Sequence, residues 1–239
     1  MNISNKDNIN IQGSKITVIG FGRSGEGAAR LGHYLGASVF ISDGGSTDAM
    51  VEKTKELEAI GIQIEIGGHT EKIYNTELWV LSPGIAQDAE IVLNAKAKKI
   101  PVVSEIEFAS WFSNGLIIGL TGSNGKTTSV HLLNEMCQAD GFSPILVGNV
   151  GTAFSEIILA DIVEVQSGRI YVLEVSSFQM ECILHFKPFI SIFLNISPDH
   201  LDRYANMEDY IQTKINMITN QDEMDHIIYN FDDPILKSN

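Results

Sequence analysis

Cysteine is scarce: Cys137 and Cys182 are the only two in 239 residues, with neither metal-pair spacing nor a disulfide framework, which suits a reducing cytosol. Basic residues are scarce too, 16 Lys and Arg against 30 Asp and Glu, for a formal charge of −14. That field opposes a sequence-independent binder of phosphate backbones, so nucleic acid is not an expected partner. Long apolar runs are missing: a membrane span needs about 18 residues, whereas 115–120 and 189–196 are strand-sized and interrupted. The opening MNISNKDNIN is polar and lacks the apolar core of a signal peptide. A cytoplasmic chain without a membrane partner is expected. Any anionic ligand must be held by local devices such as helix N-termini, a placed Lys or metal ions.

What is present points to an α/β fold. Apolar residues make up 44% of the chain, and its length allows one large domain or two small ones. Short β-rich runs alternate with helical stretches, the pattern of parallel α/β sheets. Strands are predicted at 15–20, 37–42, 63–66, 78–82, 116–121, 171–177, 189–195 and 226–229. Helices are predicted over 24–35, 50–61, 104–112 and 206–219, with Ser104 and Glu107 forming a capping box for the third. Two Gly-rich strand-to-helix turns lie about 100 residues apart. They predict two α/β domains, 1–113 and 114–239, the second with room for four strands.

The first turn, Gly20-Phe21-Gly22-Arg23-Ser24-Gly25, matches G-x-G-x-x-G after a strand, and Asp43 ends the next strand 23 positions after Gly20. Glycines let the backbone approach a diphosphate, the helix start supplies N–H donors, and the acidic residue takes a ribose or base donor. The same residues are also compatible with a plain tight turn. NAD is one reading of the motif, which does not itself select a nucleotide.

The second turn is Thr121-Gly122-Ser123-Asn124-Gly125-Lys126-Thr127-Thr128. A strict P-loop needs Gly where Leu120 stands, yet the physical parts remain. Gly122 and Gly125 allow a nest of N–H groups, Lys126 can reach phosphates, and the Thr127 hydroxyl can bind Mg²⁺, so ATP is the expected ligand. In the helix that follows, Val130, Leu133 and Met136 or Cys137 fall on one face, with Gly141 as the C-cap. Glu174, near the end of an apolar strand, is placed as a metal-side carboxylate. The run Ser197-Pro198-Asp199-His200-Leu201-Asp202-Arg203-Tyr204 follows another strand and puts His200 where open sheets bind ligands. In the helix beyond, Lys214 falls within the stripe Met207, Tyr210, Ile211, Ile215 and Ile218. Lys214 either snorkels from the stripe's edge or points inward, where an unpaired ammonium is expensive.

Together these residues resemble the Mur ligase family, the ATP-dependent amide-forming enzymes of peptidoglycan precursor synthesis. The carriers are T-G-S-N-G-K-T-T (121–128), Gly148-Asn149-Val150-Gly151, the run 173–181 and Asn195 through Tyr204. The forms E-h-S-S-F-Q-h-E and N-h-x-x-D-H-h-D-R-Y, with the 20–25 loop and Leu81-Ser82-Pro83-Gly84-Ile85, are most similar to the D-glutamate-adding branch. The resemblance implies a Rossmann-like domain for UDP-N-acetylmuramoyl-L-alanine rather than NAD, followed by a P-loop NTPase-like central domain. Gly22, Arg23, Ser24 and Asp43 would lie at the nucleotide, and Gly84, Asn149, Ser176, Gln179 and His200 along the rest of the substrate. Gly122 through Thr128 would bind ATP, Lys126 gripping its phosphates. Thr127 and Glu174 would hold one Mg²⁺, and His200 with a carbamylated Lys214 a second; Lys126, His200 and Lys214 are the implied catalytic residues. Carbamylation requires the neutral amine that burial favours.

Family members have a third domain, for which this sequence has no counterpart. The resemblance therefore implies an incomplete central domain, little turnover by this chain alone and a complementing C-terminal fragment, with D-glutamate contacts unassigned here. A non-catalytic nucleotide-binding remnant is the alternative. A nicotinamide-dependent oxidoreductase would leave 121–128, Glu174 and 200–214 without a role.

Overall fold

The structure, a computed structural model, describes residues 1–199 and 203–238. The chain divides into two compact units, Met1–Trp111 with Phe154–Leu159, and Phe112–Ala153 with Ala160–Asn239.

In the first unit, β1 (Lys15–Ile19) leads into α1 (Arg23–Tyr34), β2 (Ser38–Asp43) into α2 (Asp48–Ala59), and β3 (Gln63–Ile66) into a 3₁₀ turn at Glu71–Tyr74. After these come β4 (Leu78–Leu81), α3 (Glu90–Ala97), β5 (Val102–Ser104) and α4 (Glu105–Ser110). All pairings are parallel, in the order β3-β2-β1-β4-β5. The chain steps outward from β1 to β3 and then crosses back to β4, so the order reverses beside β1 and a crevice opens at the strands' carboxyl ends. All four residues of β4 are buried, as expected for a strand covered on both faces. The Trp79 indole donates to the Ile73 carbonyl at 2.8 Å and stacks on Tyr74, which pins the 3₁₀ turn to the core. Two elements escape the sequence pattern. Strand β5 has only three residues, and α3 starts from Ala89, which offers no capping side chain.

After the first unit's elements the chain runs β6 (Leu116–Thr121), α5 (Lys126–Ala139), β7 (Pro144–Gly148), α6 (Phe154–Glu164, of which residues 154–159 count with the first unit), β8 (Ile170–Glu174) and a one-turn α7 (Ser177–Met180). Then follow β9 (Ile190–Phe193), α8 (Met207–Ile215) continuing as a 3₁₀ turn, β10 (His226–Tyr229) and α9 (Pro234–Ser238). The sheet is parallel, in the order β10-β9-β6-β8-β7, five strands where four were expected. The addition is β7. Opening on Pro144 and closing on Gly148 hides it from propensity, and its edge position is where a strand Pro is tolerated. Because β8 and β9 flank β6 from opposite sides, the switch point falls at the end of β6.

Packing settles the open position in each of two expected helix stripes. On α5, Val130 is fully buried, with Leu133 and Cys137 packed beside it, but Met136 is 59% exposed. Spacing i, i+3, i+7 turns inward, and i+6 turns outward. On α8, Tyr210, Ile211 and Lys214 are all buried, so the inward alternative for Lys214 is the one adopted. At the sheet's far edge every residue of β10 is exposed, and a groove of about 340 Å³ runs beside it, lined by Phe193, Ile215, Ile218, Ile227, Tyr229, Leu236 and Lys237. Among the described residues no helix is long and apolar enough to cross a membrane.

Candidate functional site

At the switch point of the second unit, Gly125 adopts φ 81° and α5 begins at Lys126, directly after the loop. The Lys126 ammonium folds back onto the loop, donating to the carbonyls of Gly122 at 2.8 Å and Ser123 at 3.1 Å. The Thr127 hydroxyl donates to one Glu174 oxygen at 2.8 Å, and the Asn149 amide donates to the other at 2.8 Å. Glu174 is the last residue of β8 and only 2% exposed, so its charge is directed at Thr127 rather than into bulk water. Asn149 is brought there by Gly148. That residue has φ 103°, and a Cβ on it would sit 2.5 Å from the Glu174 carbonyl oxygen, so no side chain fits.

The other wall of the loop is laced to the chain after β9. The Asn124 N–H donates to the Asn195 side chain at 2.9 Å, which donates back to the Asn124 carbonyl at 3.0 Å. The Ser123 hydroxyl donates to the Ser197 carbonyl and accepts from its N–H, both at 2.9 Å, and lies 3.1 Å from the Tyr210 hydroxyl. Lys214 reaches the same loop from α8, its ammonium donating to the Gly122 carbonyl at 3.1 Å and sitting 4.8 Å from the centre of the Tyr210 ring. Burial, and then the charge of Lys126, push the Lys214 amine down to about 8, against a smaller opposing pull from Asp199. Two lysines thus converge on one carbonyl, and the buried one, Lys214, is held below the ordinary lysine value.

Beyond β8, Ser176 and Gln179 form a capping box, the Gln179 carbonyl oxygen accepting from the Ser176 N–H at 3.0 Å. Just past α7, Glu181 takes a bidentate pair from Arg203 at 3.1 and 2.8 Å and a hydrogen bond from Tyr204 at 3.0 Å. The Arg203 guanidinium also lies over Phe178, 4.0 Å from the ring centre. The chain on either side of the 200–202 stretch is therefore anchored, by the 122–125 loop before it and by Glu181 after it. His200 lies outside the described residues.

In the first unit, Gly22 and Arg23 start α1. Ser82, in the turn after β4 that carries Gly84, donates to the Gly20 carbonyl at 3.1 Å. A Cβ on Gly25 would come within 1.9 Å of the Gly20 carbonyl oxygen, which fixes glycine as the third member of the motif. Gly25→Ala is accordingly expected to destabilise the chain by on the order of 3 kcal/mol, read as a loss in the urea midpoint. Asp43 does something the sequence did not indicate. Its two carboxylate oxygens accept the Phe21 N–H at 2.6 Å and the Gly45 N–H at 2.7 Å, tying the glycine loop to the chain beyond β2.

Sequence reasoning missed Asn195, Ser197 and Tyr210 as braces of the second loop, and Glu181 as the anchor of Arg203 and Tyr204. They act across 22 to 87 residues of sequence, and no local spacing signals such pairs. Among the described residues no three His, Cys, Asp or Glu side chains cluster as a ready-made metal site. Thr127 and Glu174 offer hard oxygen donors beside the loop, the donor type Mg²⁺ takes when substrate phosphates complete its shell.

Two parallel sheets with switch-point crevices, one ending in a dinucleotide-type glycine loop and the other in a Lys-Thr loop facing a buried carboxylate, define a Rossmann-like unit and a P-loop-like unit. Residues 120–239 match the family model of the Mur ligase middle domain, and residues 15–91 match that of the MurD N-terminal domain. The chain belongs to the Mur ligase family. It is 40% identical over 233 residues to the UDP-N-acetylmuramoylalanine--D-glutamate ligase of Chlorobaculum parvum, an alignment covering 95% of this chain and 49% of the relative. It is 43% identical over 224 residues to the enzyme of the same name from Christiangramia forsetii, covering 92% and 48%. The chain thus spans about half the length of the curated relatives it matches. Among solved structures, the UDP-N-acetylmuramate:L-alanyl-gamma-D-glutamyl-meso-diaminopimelate ligase from Neisseria meningitides shares the fold, with a TM-score of 0.62 at 18% identity over 95% of this chain and 74% of that one.

Proposed function

We propose that this chain supplies the UDP-substrate and ATP sites of a cytoplasmic ligase that joins D-glutamate to UDP-N-acetylmuramoyl-L-alanine. Residues 1–113 would form the UDP-substrate domain and 114–239 the central ATP domain. The observation that carries this reading is the Lys126–Thr127–Glu174–Asn149 arrangement at the end of β6, with Lys214 buried beside it. It is supported by the names of the relatives, whose similarity runs across both units.

In the reaction so read, the alanyl carboxylate takes the γ-phosphoryl group of ATP to give an acyl phosphate and ADP. The D-glutamate amine then attacks the acyl carbon, and phosphate leaves as the amide forms. The first step brings anions together, so its barrier falls with positive charge held in place beforehand. Lys126 and the N–H groups at the start of α5, residues 125–128, would supply that charge. Thr127 and Glu174 would hold one Mg²⁺ and Lys214, carbamylated, would hold a second with His200; the metal would offset phosphate charge. Asn149 and Asn195 act before any chemistry: the first orients Glu174, the second braces the loop. Gly22, Arg23, Ser24, Asp43, Gly84, Ser176 and Gln179 would line the path of the UDP-linked substrate. D-glutamate contacts would come from polypeptide equivalent to the relatives' other half.

Calorimetric titration of UDP-N-acetylmuramoyl-L-alanine into the purified chain is expected to show binding. Phosphate release with ATP, Mg²⁺ and D-glutamate is expected to be near background until the complementing half is added. A folded chain that does not bind the UDP-substrate, or that turns over vigorously by itself, contradicts the reading. Binding without turnover even after complementation would leave a nucleotide-binding remnant.

A further inference from the structure

At the carboxyl end of β2, next to the glycine loop, lies a second polar cluster that neither motif contains. Ser42 and Glu65 are register partners across β2 and β3. The Ser42 hydroxyl is 2.6 Å from Glu65 Oε1 and 2.7 Å from Nδ1 of His69. Thr70 closes the cluster, its N–H donating to Glu65 Oε1 at 3.0 Å and its hydroxyl to Oε2 at 2.6 Å. Ser42 is completely buried and its own carbonyl accepts the Gly20 N–H at 2.9 Å, so the same residue supports the glycine loop and the His69 ring.

The proton positions follow from counting donors. Burial raises the Glu65 carboxyl, but the donors from Ser42 and Thr70 outweigh it and hold the group below its ordinary value, so it is ionised near neutrality and only accepts. The single Ser42 proton therefore goes to Glu65. Ser42 Oγ must then accept from His69, which places the imidazole proton on Nδ1 and leaves Nε2 a bare acceptor. That nitrogen lies 3.4 Å from where a Cβ on Gly44 would be, so the ring edge faces the exposed Gly44–Gly45 turn. Two backbone bonds, Gly67 N–H to Gly45 O at 2.9 Å and Gly68 N–H to Asp43 O at 3.3 Å, hold the two loops together around it. Meanwhile Asp43, the residue a dinucleotide motif would assign to the nucleoside, is engaged by Phe21 and Gly45.

We propose that His69 recognises the nucleoside of the ligand in the first unit, its Nε2 accepting a hydrogen bond from a nucleoside donor while Ser42 and Glu65 act as positioning residues that fix the ring's tautomer. The proposal rests on the reading that this unit takes a uridine diphosphate. Two donors of that nucleoside fit an imidazole acceptor, the imide N3–H of uracil and the ribose 2′-hydroxyl. CDP lacks the first, its ring nitrogen being itself an acceptor, and 2′-deoxy-UDP lacks the second.

The test is titration of the whole chain with UDP, CDP and 2′-deoxy-UDP, for the unaltered protein, His69→Ala and His69→Phe. The second variant keeps the ring's bulk in case the first fails to fold. UDP affinity is expected to fall about tenfold in the variants. The analogue that lacks the donor read by His69 is expected to bind the unaltered protein and the variants alike. Equal weakening of all three ligands, or of none, overturns the proposal. A folded, unaltered chain that binds no UDP refutes the reading of the first unit, and the proposal with it. Nitrogen-15 spectra give a ligand-free check: the Nδ1–H form is expected in the unaltered protein, with a shift toward Nε2–H in Ser42→Ala. Finding Nε2–H without the substitution also overturns it.

Discussion

Lys126→Met is expected to weaken ATP binding about a hundredfold, roughly 3 kcal/mol, the scale for losing a charged partner at a largely desolvated contact. Lys126 begins α5 immediately beyond the loop, and its ammonium lies on the loop carbonyls at 2.8 and 3.1 Å. The same reach covers anything seated over the loop's N–H groups. Methionine keeps the length and the packing of the stem but not the charge, so the helix and the loop backbone are expected to stay in place. Calorimetry with ATP measures the loss, and a urea melt separates it from unfolding. A variant that melts like the parent and still binds ATP as tightly would remove Lys126 from the phosphate site. A chain of net charge −14 has little general attraction for a polyanion, so the local ammonium carries more weight here than it would in a basic protein.

The second large effect concerns Lys214, whose burial sets a partly compensated ammonium against a neutral amine. Its pKa is held at about 8 in the folded chain, against 10.5 for an exposed lysine. Below pH 8 the group is protonated in both the folded and the unfolded chain, and the fold carries the full penalty of burying the charge. Between about 8 and 10.5 the unfolded chain binds the extra proton, so stability rises with pH and is complete above that window. The difference corresponds to on the order of 3 kcal/mol. Lys214→Met, which replaces the amine by an apolar side chain of similar length, is expected to be more stable than the parent by about that amount at pH 7 in metal- and nucleotide-free solution. The gain should shrink as pH rises toward 10.5, and urea denaturation of both proteins across that window measures it. A difference independent of pH would show that Lys214 is charged throughout. Carbon-13 bicarbonate offers a companion observation, since the neutral amine is the form that takes up CO₂.

Much of this protein is written locally. The alternation of apolar strands with helices, both glycine loops and the inward stripe of α8 are legible because a strand, a turn or a helix face is specified by neighbours within a few residues. Lys214 marks the limit of that legibility: spacing puts it in the stripe but leaves its direction open, and packing against Tyr210 and the Gly122 carbonyl decides it. Strand β7 is hidden by its flanking Pro and Gly, which local propensity penalises and an edge position tolerates. On α5 spacing offers Met136 or Cys137 for the stripe, and packing takes Cys137 and turns Met136 to solvent.

The class of fold, the positions of the two loops and the chemical types at them follow from residue order alone, because each depends on residues adjacent in the chain. Which residue braces which is settled in three dimensions. Asp43, readable as a ligand-facing acid, is also tied by two backbone N–H groups, while Ser42, Glu65 and His69, which share no motif, meet across β2 and β3. Asn195 and Ser197 support the Lys126 loop from more than seventy positions away. Such pairs arise from strand order, and strand order is a property of the whole sheet.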